Sequence, residues 1–314
     1  MITVDNLTKI YPGVVAVDHI SFTVEPGEIV GFLGPNGAGK TTTMRILTCF
    51  IPPTSGRASV AGFDVIRESL QVRRKVGYLP ENNPLYAEMR VQEYLNFRAK
   101  LKKLPRSERK RNIGDAIQRC GLSEVRKRII GHLSKGYRQR VGLADAIVHN
   151  PEIIILDEPT IGLDPNQVRQ VRQLIHELGQ KRTVILSTHI LSEVEIMCNK
   201  VIIIHQGRIV ASGTTEEITQ QLRYTTRRIH LEVRGDGEAI RGTLENMVDV
   251  ERVKWVREGR DGVNIFSIET KDKKDIREAL FDQAVSNNWS IRELSAERIT
   301  LEDAFAELTG GAAI

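Results

Sequence analysis

The sequence of 314 residues predicts an α/β fold: a parallel core sheet, a strand-rich N-terminal part, an inserted helical lobe and a small C-terminal α+β domain. Three observations carry this expectation. Short, uniformly apolar runs alternate with segments of helical period; a glycine-rich loop joins one such run to a helix; and a second strand–helix pattern begins near residue 228.

From the N-terminus, Ile2, Val4 and Leu7 begin an alternation that Ile20-Ser21-Phe22-Thr23-Val24 repeats before Pro26-Gly27 turns the chain. Residues 29–33 are apolar throughout, as in a strand buried on both faces. They run straight into Gly34-Pro35-Asn36-Gly37-Ala38-Gly39-Lys40-Thr41, and residues 41–47 read as a helix. Residues 91–133 are helical in pattern, with Tyr94, Leu95, Phe97 and Leu101 near one face. Residues 153–156, 184–186 and 201–204 are further strands of the core sheet, separated by helices at 166–178 and 191–197.

The character changes over the polar residues 220–227. Beyond them Ile229, Leu231 and Val233 alternate, 238–247 is a helix, 250–256 and 263–268 are strands, 275–285 is a helix and 289–294 a last strand. That β-α-β-β-α-β order is the ferredoxin-like split motif. Thr300 caps a final helix, with Asp303 at its third position and Leu301, Phe305 and Leu308 on one face. The expected domains are 1–222 and 223–314. The second shows no ligand-type cluster of His, Cys or carboxylates, so bracing or regulation by contact is expected of it.

Composition sets outer bounds. A hydrophobic fraction of 40% and a charged fraction of 27% fit a soluble globular protein. No run approaches the roughly 18 apolar residues of a membrane span, and the start has neither a basic leader nor an apolar core, so no secretory signal is expected. Cys49, Cys120 and Cys198 share no metal-like spacing and read as reduced thiols of a cytosolic protein. The net charge is a mild +5. Its densest part, residues 100–111, reads as a solvated helix and loop; nucleic acid or acidic headgroups are the other reading, weakened by the lack of stacking aromatics.

The glycine loop has the form G-x-x-x-x-G-K-[ST] between a strand and a helix, the arrangement of a phosphate cradle. Gly34, Gly37 and Gly39 let the backbone amides turn inward, Lys40 sets a charge against the outer phosphates, and the Thr41 hydroxyl is a Mg²⁺ ligand. Asp157 ends an apolar run, a poor place for a lone carboxylate, and Mg²⁺ is its expected partner. Glu158 points the other way if the strand persists and is then free to polarise a water; a buried ion pair is the bland alternative for these two carboxylates.

Leu133-Ser134-Lys135-Gly136-Tyr137-Arg138-Gln139-Arg140 resembles the signature sequence of ATP-binding-cassette (ABC) ATPases, and the resemblance covers residues 1 to about 220. It implies an ABC-type P-loop fold and a nucleotide set of Tyr11 (stacked on adenine), Gly34, Pro35, Asn36, Gly37, Ala38, Gly39, Lys40, Thr41 and Thr42. Ser134, Gly136 and Asp164 of a second copy complete that set head to tail. Glu158 and the switch histidine His189 are the implied catalytic pair, with Thr41, Asp157 and Glu81 around Mg²⁺. Lys135, Tyr137 and Glu81 depart from the commonest pattern. With GYLPENNPLY and LEDAFAELTG, they are similar to the type-2 export branch, especially gliding-motility-associated ATPases.

The function so implied is an ATP-hydrolysing motor that drives export through a separate membrane permease, residues 81–94 lining the coupling surface. The chain is expected to be cytoplasmic, peripheral on the inner face of the membrane, and a homodimer. Cargo would be chosen mainly by the permease, with no direct nucleic-acid contact. The alternative is a soluble ABC ATPase acting on nucleic acid or ribosomes, a kind that usually carries two nucleotide domains or long coiled-coil insertions. A GTPase is a poorer fit, since Asn199-Lys200-Val201-Ile202 lacks the guanine-reading aspartate.

Overall fold

The apolar runs of the sequence become neighbours in one sheet. The computed structural model describes residues 1–223, 228–258, 262–271, 274–296 and 305–306. Contacts divide the chain into a unit containing Met1–Thr215 and a unit Glu216–Phe305. In chain order the first contains β1 (Ile2–Tyr11), β2 (Val14–Val24), β3 (Ile29–Leu33), α1 (Lys40–Leu47), β4 (Ser55–Val60), β5 (Phe63–Asp64), α2 (Ser69–Lys75) and β6 (Val76–Leu79). The helical lobe follows as α3 (Val91–Leu101), α4 (Arg106–Arg119) and α5 (Lys135–Ile147). Then come β7 (Ile153–Asp157), α6 (Pro165–Gly179), β8 (Thr183–Thr188), α7 (Leu191–Met197), β9 (Lys200–His205) and β10 (Arg208–Gly213), while α8 (Thr215–Arg223) starts at the boundary and belongs, but for Thr215, to the second unit.

The six-stranded sheet has the order β10-β9-β3-β8-β7-β6, parallel except for β10 at one edge. Side chains alternate across it, which explains why its strands are apolar throughout. Val30, Phe32, Ile153, Ile155 and Ile185 pack on one face with α1 residues Met44 and Leu47. Ile29, Ile154, Leu156, Val184 and Leu186 pack on the other with the helical lobe. The antiparallel sheet β2-β1-β4-β5 joins the first of these cores. Parallel pairing matters for function because it brings the carboxyl ends of β3, β7 and β8 together, where ligands bind in such sheets. Leu33 is level with Thr188, and Asp157 with Ser187.

In α3 the buried residues are Val91, Tyr94, Leu95 and Ala99. Leu101, expected on that face, is 58% exposed; it lies six residues past Leu95, about 240° round the helix at 3.6 residues per turn. The basic run 100–111 is not wholly solvated either. Lys102 turns inward, its Nζ donating to Arg73 O at 2.9 Å and Val76 O at 3.3 Å.

The second unit contains β11 (Arg228–Arg234), α9 (Gly237–Glu245), β12 (Val250–Glu258), β13 (Val263–Thr270), α10 (Arg277–Ser286) and β14 (Ser290–Ala296). Its antiparallel sheet has the order β12-β13-β11-β14, a ferredoxin-like arrangement. Ile229, Leu231 and Val233 face a core shared with Ile240, Leu244 and Leu280. Of the expected final helix, residues 305–306 are helical; Thr300, Leu301, Asp303 and Leu308 lie outside the described residues.

Candidate active site

The loop after β3 turns because its glycines can. Gly39 caps α1 at φ 108, in the left-handed region, and a side chain there would strike the Ala16 carbonyl. At Gly34 a Cβ would strike the Ile204 carbonyl. Lys40 opens α1 and is 5% exposed. Its Nζ donates to Gly34 O at 2.7 Å and Pro35 O at 3.2 Å, and stands 3.6 Å from Glu158 Oε1. Burial holds the Lys40 ammonium below the usual lysine value, against the pull of the Glu158 charge.

Asp157 closes β7 and is fully buried. Its Oδ1 accepts from Thr41 Oγ1 at 3.1 Å and Ser187 Oγ at 2.5 Å. Its Oδ2 is buried with no hydrogen-bond partner. Desolvation pushes the carboxyl above the usual aspartate value, with the Ser187 and Thr41 bonds opposing. An orphaned carboxylate oxygen beside a threonine hydroxyl is a donor set that fits a hard cation such as Mg²⁺.

Glu158 departs from the expected strand alternation. The strand ends at Asp157, and Glu158 takes φ 49, a conformation that costs a non-glycine residue energy. Its amide donates to Ser187 Oγ at 3.1 Å, and its carboxylate reaches Lys40 and, at 2.9 Å, His189 Nδ1. The left-handed turn, not the pleat, aims this carboxylate into the cradle.

These groups border a cavity of about 430 Å³ lined by Ala16, Asn36, Gly37, Ala38, Gly39, Lys40, Thr41, Thr42, Glu81, Glu158, Ile161 and His189. Tyr11, Gly34, Pro35, Ser134, Gly136, Asp157 and Asp164 are not among its lining residues, Asp157 lying buried behind Thr41. Tyr11 ends β1, 36% exposed, with Lys9 Nζ 5.3 Å from its ring centre. Ser134 caps α5, accepting from Tyr137 N at 3.3 Å, and the Gln167 side chain lies over Gly136. Asp164 caps α6, accepting from Asn166 N and Gln167 N at 3.0 Å each. The sequence gives no role to Ala16 or Ile161, and marks Ser187 only as part of the stretch Ser187-Thr188-His189. Its bond to Asp157 follows from the β7–β8 register, which sets the two residues side by side.

A second cavity, about 340 Å³, lies beside the loop that follows β6. Its lining includes Arg45, Arg73, Tyr78, Asn82, Asn83, Pro84, Arg98, Lys102, Asp145 and His149. Asp145 is already bound by Arg98 Nε at 2.8 Å and Tyr94 Oη at 3.3 Å, so the groove keeps an excess of positive charge. Burial holds Lys102 down to about 8 and His149 down to about 3. In the C-terminal unit a ligand-type cluster does exist, contrary to expectation. His230, Glu232 and Glu293 each bring one ligand atom within 4.8 Å of the others; spread over β11 and β14, they are invisible to sequence spacing.

Comparison with known proteins places this geometry. The family profile for ABC transporters matches residues 17–161. The bacitracin transport ATP-binding protein BcrA of Bacillus licheniformis is 34% identical over 316 residues, covering 100% of this chain and 99% of that protein. The linearmycin resistance ATP-binding protein LnrL of Bacillus subtilis (strain 168) is 31% identical over 311 residues, 99% of this chain and 98% of that one. A dimeric post-hydrolysis structure of the ATP-binding cassette MJ0796, bound to ADP and Pi, aligns with a TM-score of 0.64 at 25% identity over 68% of this chain and 98% of its own. Glycine cradle, buried carboxylates, histidine and end-to-end similarity agree: the chain belongs to the ABC transporter family, as an ATP-binding and ATP-hydrolysing subunit.

Proposed function

We propose that two copies of this chain close head to tail on ATP and drive export through a separate membrane permease. The observation that carries this reading is the division of the site. The cavity is lined by the glycine loop, Glu81, Glu158 and His189, whereas Ser134 and Gly136 stand apart at the N-terminus of α5, a phosphate-seeking end that needs a second copy to meet a nucleotide.

Within one copy the loop amides of residues 36–42 and the Lys40 ammonium hold the β- and γ-phosphates, and Tyr11 stacks on adenine. Thr41 and Asp157 would hold Mg²⁺, with Glu81 at the rim of the same cavity; bound there, the ion neutralises phosphate charge. Glu158 takes a proton from the attacking water, and His189, oriented by its Nδ1 contact to Glu158, presents Nε2 to the γ-phosphate. Ser134 and Gly136 of the second copy close over that phosphate, and its Asp164 loop braces the junction.

The cationic groove beside residues 81–86 supports permease docking, because an acidic cytoplasmic segment would find Arg45 and Arg73 there. No helix among the described residues is long and apolar enough to cross a membrane, and we place the chain at the cytoplasmic face with the pore on another protein. Residues 1–222 are the motor and residues 223–314 an accessory domain that braces the dimer or the permease. The relatives named for bacitracin transport and linearmycin resistance support antibiotic efflux as the cargo class, the permease choosing the molecule.

Ser134→Arg in an otherwise wild-type chain tests the division. Each monomer should fold and bind ATP while ATP-driven dimerisation, read by light scattering, and turnover are lost. Wild-type turnover in that variant would overturn the shared site.

A further inference from the structure

The loop bearing His189 is tied to a distant helix through side chains buried behind the site. Thr188 ends β8, and its Oγ1 donates to Glu193 Oε2 at 3.0 Å and accepts from Ile190 N at 3.1 Å. One hydroxyl thus fixes the backbone on both sides of His189. Glu193, in α7, has a side chain 1% exposed, and its Oε1 lies 3.7 Å from Arg172 Nη2 of α6, whose side chain is 22% exposed. Arg172 Nε is buried with no hydrogen-bond partner.

Packing alone does not call for this arrangement. A buried carboxylate beside a partly buried guanidinium loses much of its hydration, and apolar side chains of similar volume hold two helices as well or better. What the ions supply is direction. Glu193 is shared between the histidine loop and α6, and α6 begins at Pro165, next to its cap Asp164. Arg172 lies seven residues further along, about 10 Å at 1.5 Å per residue, so a tilt of the helix start is felt at Arg172 and passed through Glu193 to Thr188.

We propose that Glu193 and Arg172 are positioning residues, which hold the His189 loop against Glu158 and link it to the loop that meets the second copy. The inference rests on the roles given above to His189, Glu158 and Asp164. In this arrangement arrival of the second copy at residues 163–165 sets the angle of His189. Hydrolysis is then geared to dimer closure by a rigid path of Asp164, α6, Arg172, Glu193 and Thr188.

Three variants separate this from a purely structural pair. Thr188→Val keeps the shape and removes the hydroxyl. Arg172→Met combined with Glu193→Leu replaces the ions by apolar groups, so the fold should persist. Glu193→Gln keeps an acceptor for Thr188 but releases the charge on Arg172. With melting temperature recorded for each, Thr188→Val and the double variant should keep the KM for ATP within about twofold while kcat falls by about 10²-fold, the loss that a misplacement of roughly 1 Å produces. Glu193→Gln should keep more of kcat than either, yet lose cooperativity in ATP, its Hill coefficient falling toward one.

Wild-type kcat and cooperativity in a folded double variant would show a packing role only and overturn the proposal. Should the double variant fail to fold, Thr188→Val decides alone, and wild-type kcat there is equally fatal. Glu158→Gln and His189→Ala, run alongside, keep the failures distinct. If these two also turn over normally, the site assignment itself is wrong; if they are inactive and the relay variants are not, only the relay is lost.

Discussion

Replacing Glu158 by glutamine should separate ATP binding from hydrolysis and move them in opposite directions. Glu158 Oε1 stands 3.6 Å from Lys40 Nζ, both side chains 6% exposed. At an effective dielectric of about 20 the attraction is about 4 to 5 kcal/mol, of which burial of the two ions takes back the larger part. A surplus of about 1 kcal/mol is left for ATP to overcome when Lys40 exchanges the carboxylate for phosphate oxygens, about sixfold in Kd. Loss of the carboxylate also removes its repulsion of the γ-phosphate, which acts in the same direction. Glutamine keeps the size of the side chain and an acceptor for the 2.9 Å contact to His189 Nδ1, but it cannot take a proton, so turnover should fall by about 10²- to 10⁴-fold. Titration calorimetry with ATP in EDTA reads the first effect and single-turnover hydrolysis with Mg²⁺ the second. Weaker binding would show that Lys40 and Glu158 are not competitors of phosphate, and undiminished turnover would remove Glu158 from the chemistry.

Three further outcomes follow from the fold. Gly77→Ala would drive a Cβ into the Ala146 carbonyl, where β6 meets α5; overpacking of this kind costs about 1 to 3 kcal/mol, read as a lower melting temperature. Burial depresses Lys102 to about 8, below the unfolded value of about 10.4. Between these values the unfolded chain binds more protons, so stability should climb with pH from about 8 to about 10. In Lys102→Met that climb should be absent, which melting curves at pH 7, 8.5 and 10 would reveal. Asp236 accepts from Glu238 N at 3.0 Å and Ala239 N at 3.4 Å to cap α9. Asp236→Ala should cost about 1 kcal/mol and lower the unfolding temperature of the C-terminal unit, leaving ATP turnover as it was.

What was legible in the sequence and what was not divide along a physical line. The glycine loop, the apolar strand before Asp157 and the strand–helix order of both units are local, and each was readable because neighbouring residues define it. Ser187 is thirty positions from Asp157 and gains its role only from the register of β7 against β8. Glu158 looked like the next residue of a strand, yet it turns left-handed, because at that point the chain must aim a carboxylate back at Lys40. Lys102 sat in a basic run, and only the packing of α3 over α2 and β6 shows that its ammonium is spent on two carbonyls. The His230 cluster illustrates the same limit, since Glu232 and Glu293 meet across a strand pair.

The residues that sequence motifs single out are, within one copy, mostly engaged with one another. Lys40 is held by two carbonyls and Glu158, Thr41 and Ser187 bond to Asp157, and Ser134 and Asp164 serve as helix caps. Each of these partners is weaker than the one proposed for it: a phosphate for Lys40, a cation for Asp157 and Thr41, a second nucleotide for the α5 terminus. A single copy therefore satisfies these groups largely from within, with Asp157 Oδ2 the exception. Under the proposed roles, ATP draws Lys40 from the Glu158 carboxylate to its own phosphates, and Glu158 keeps the 2.9 Å contact to His189 Nδ1. Binding of ATP and release of the Lys40–Glu158 pair are then one exchange, which the Glu158→Gln titration measures directly.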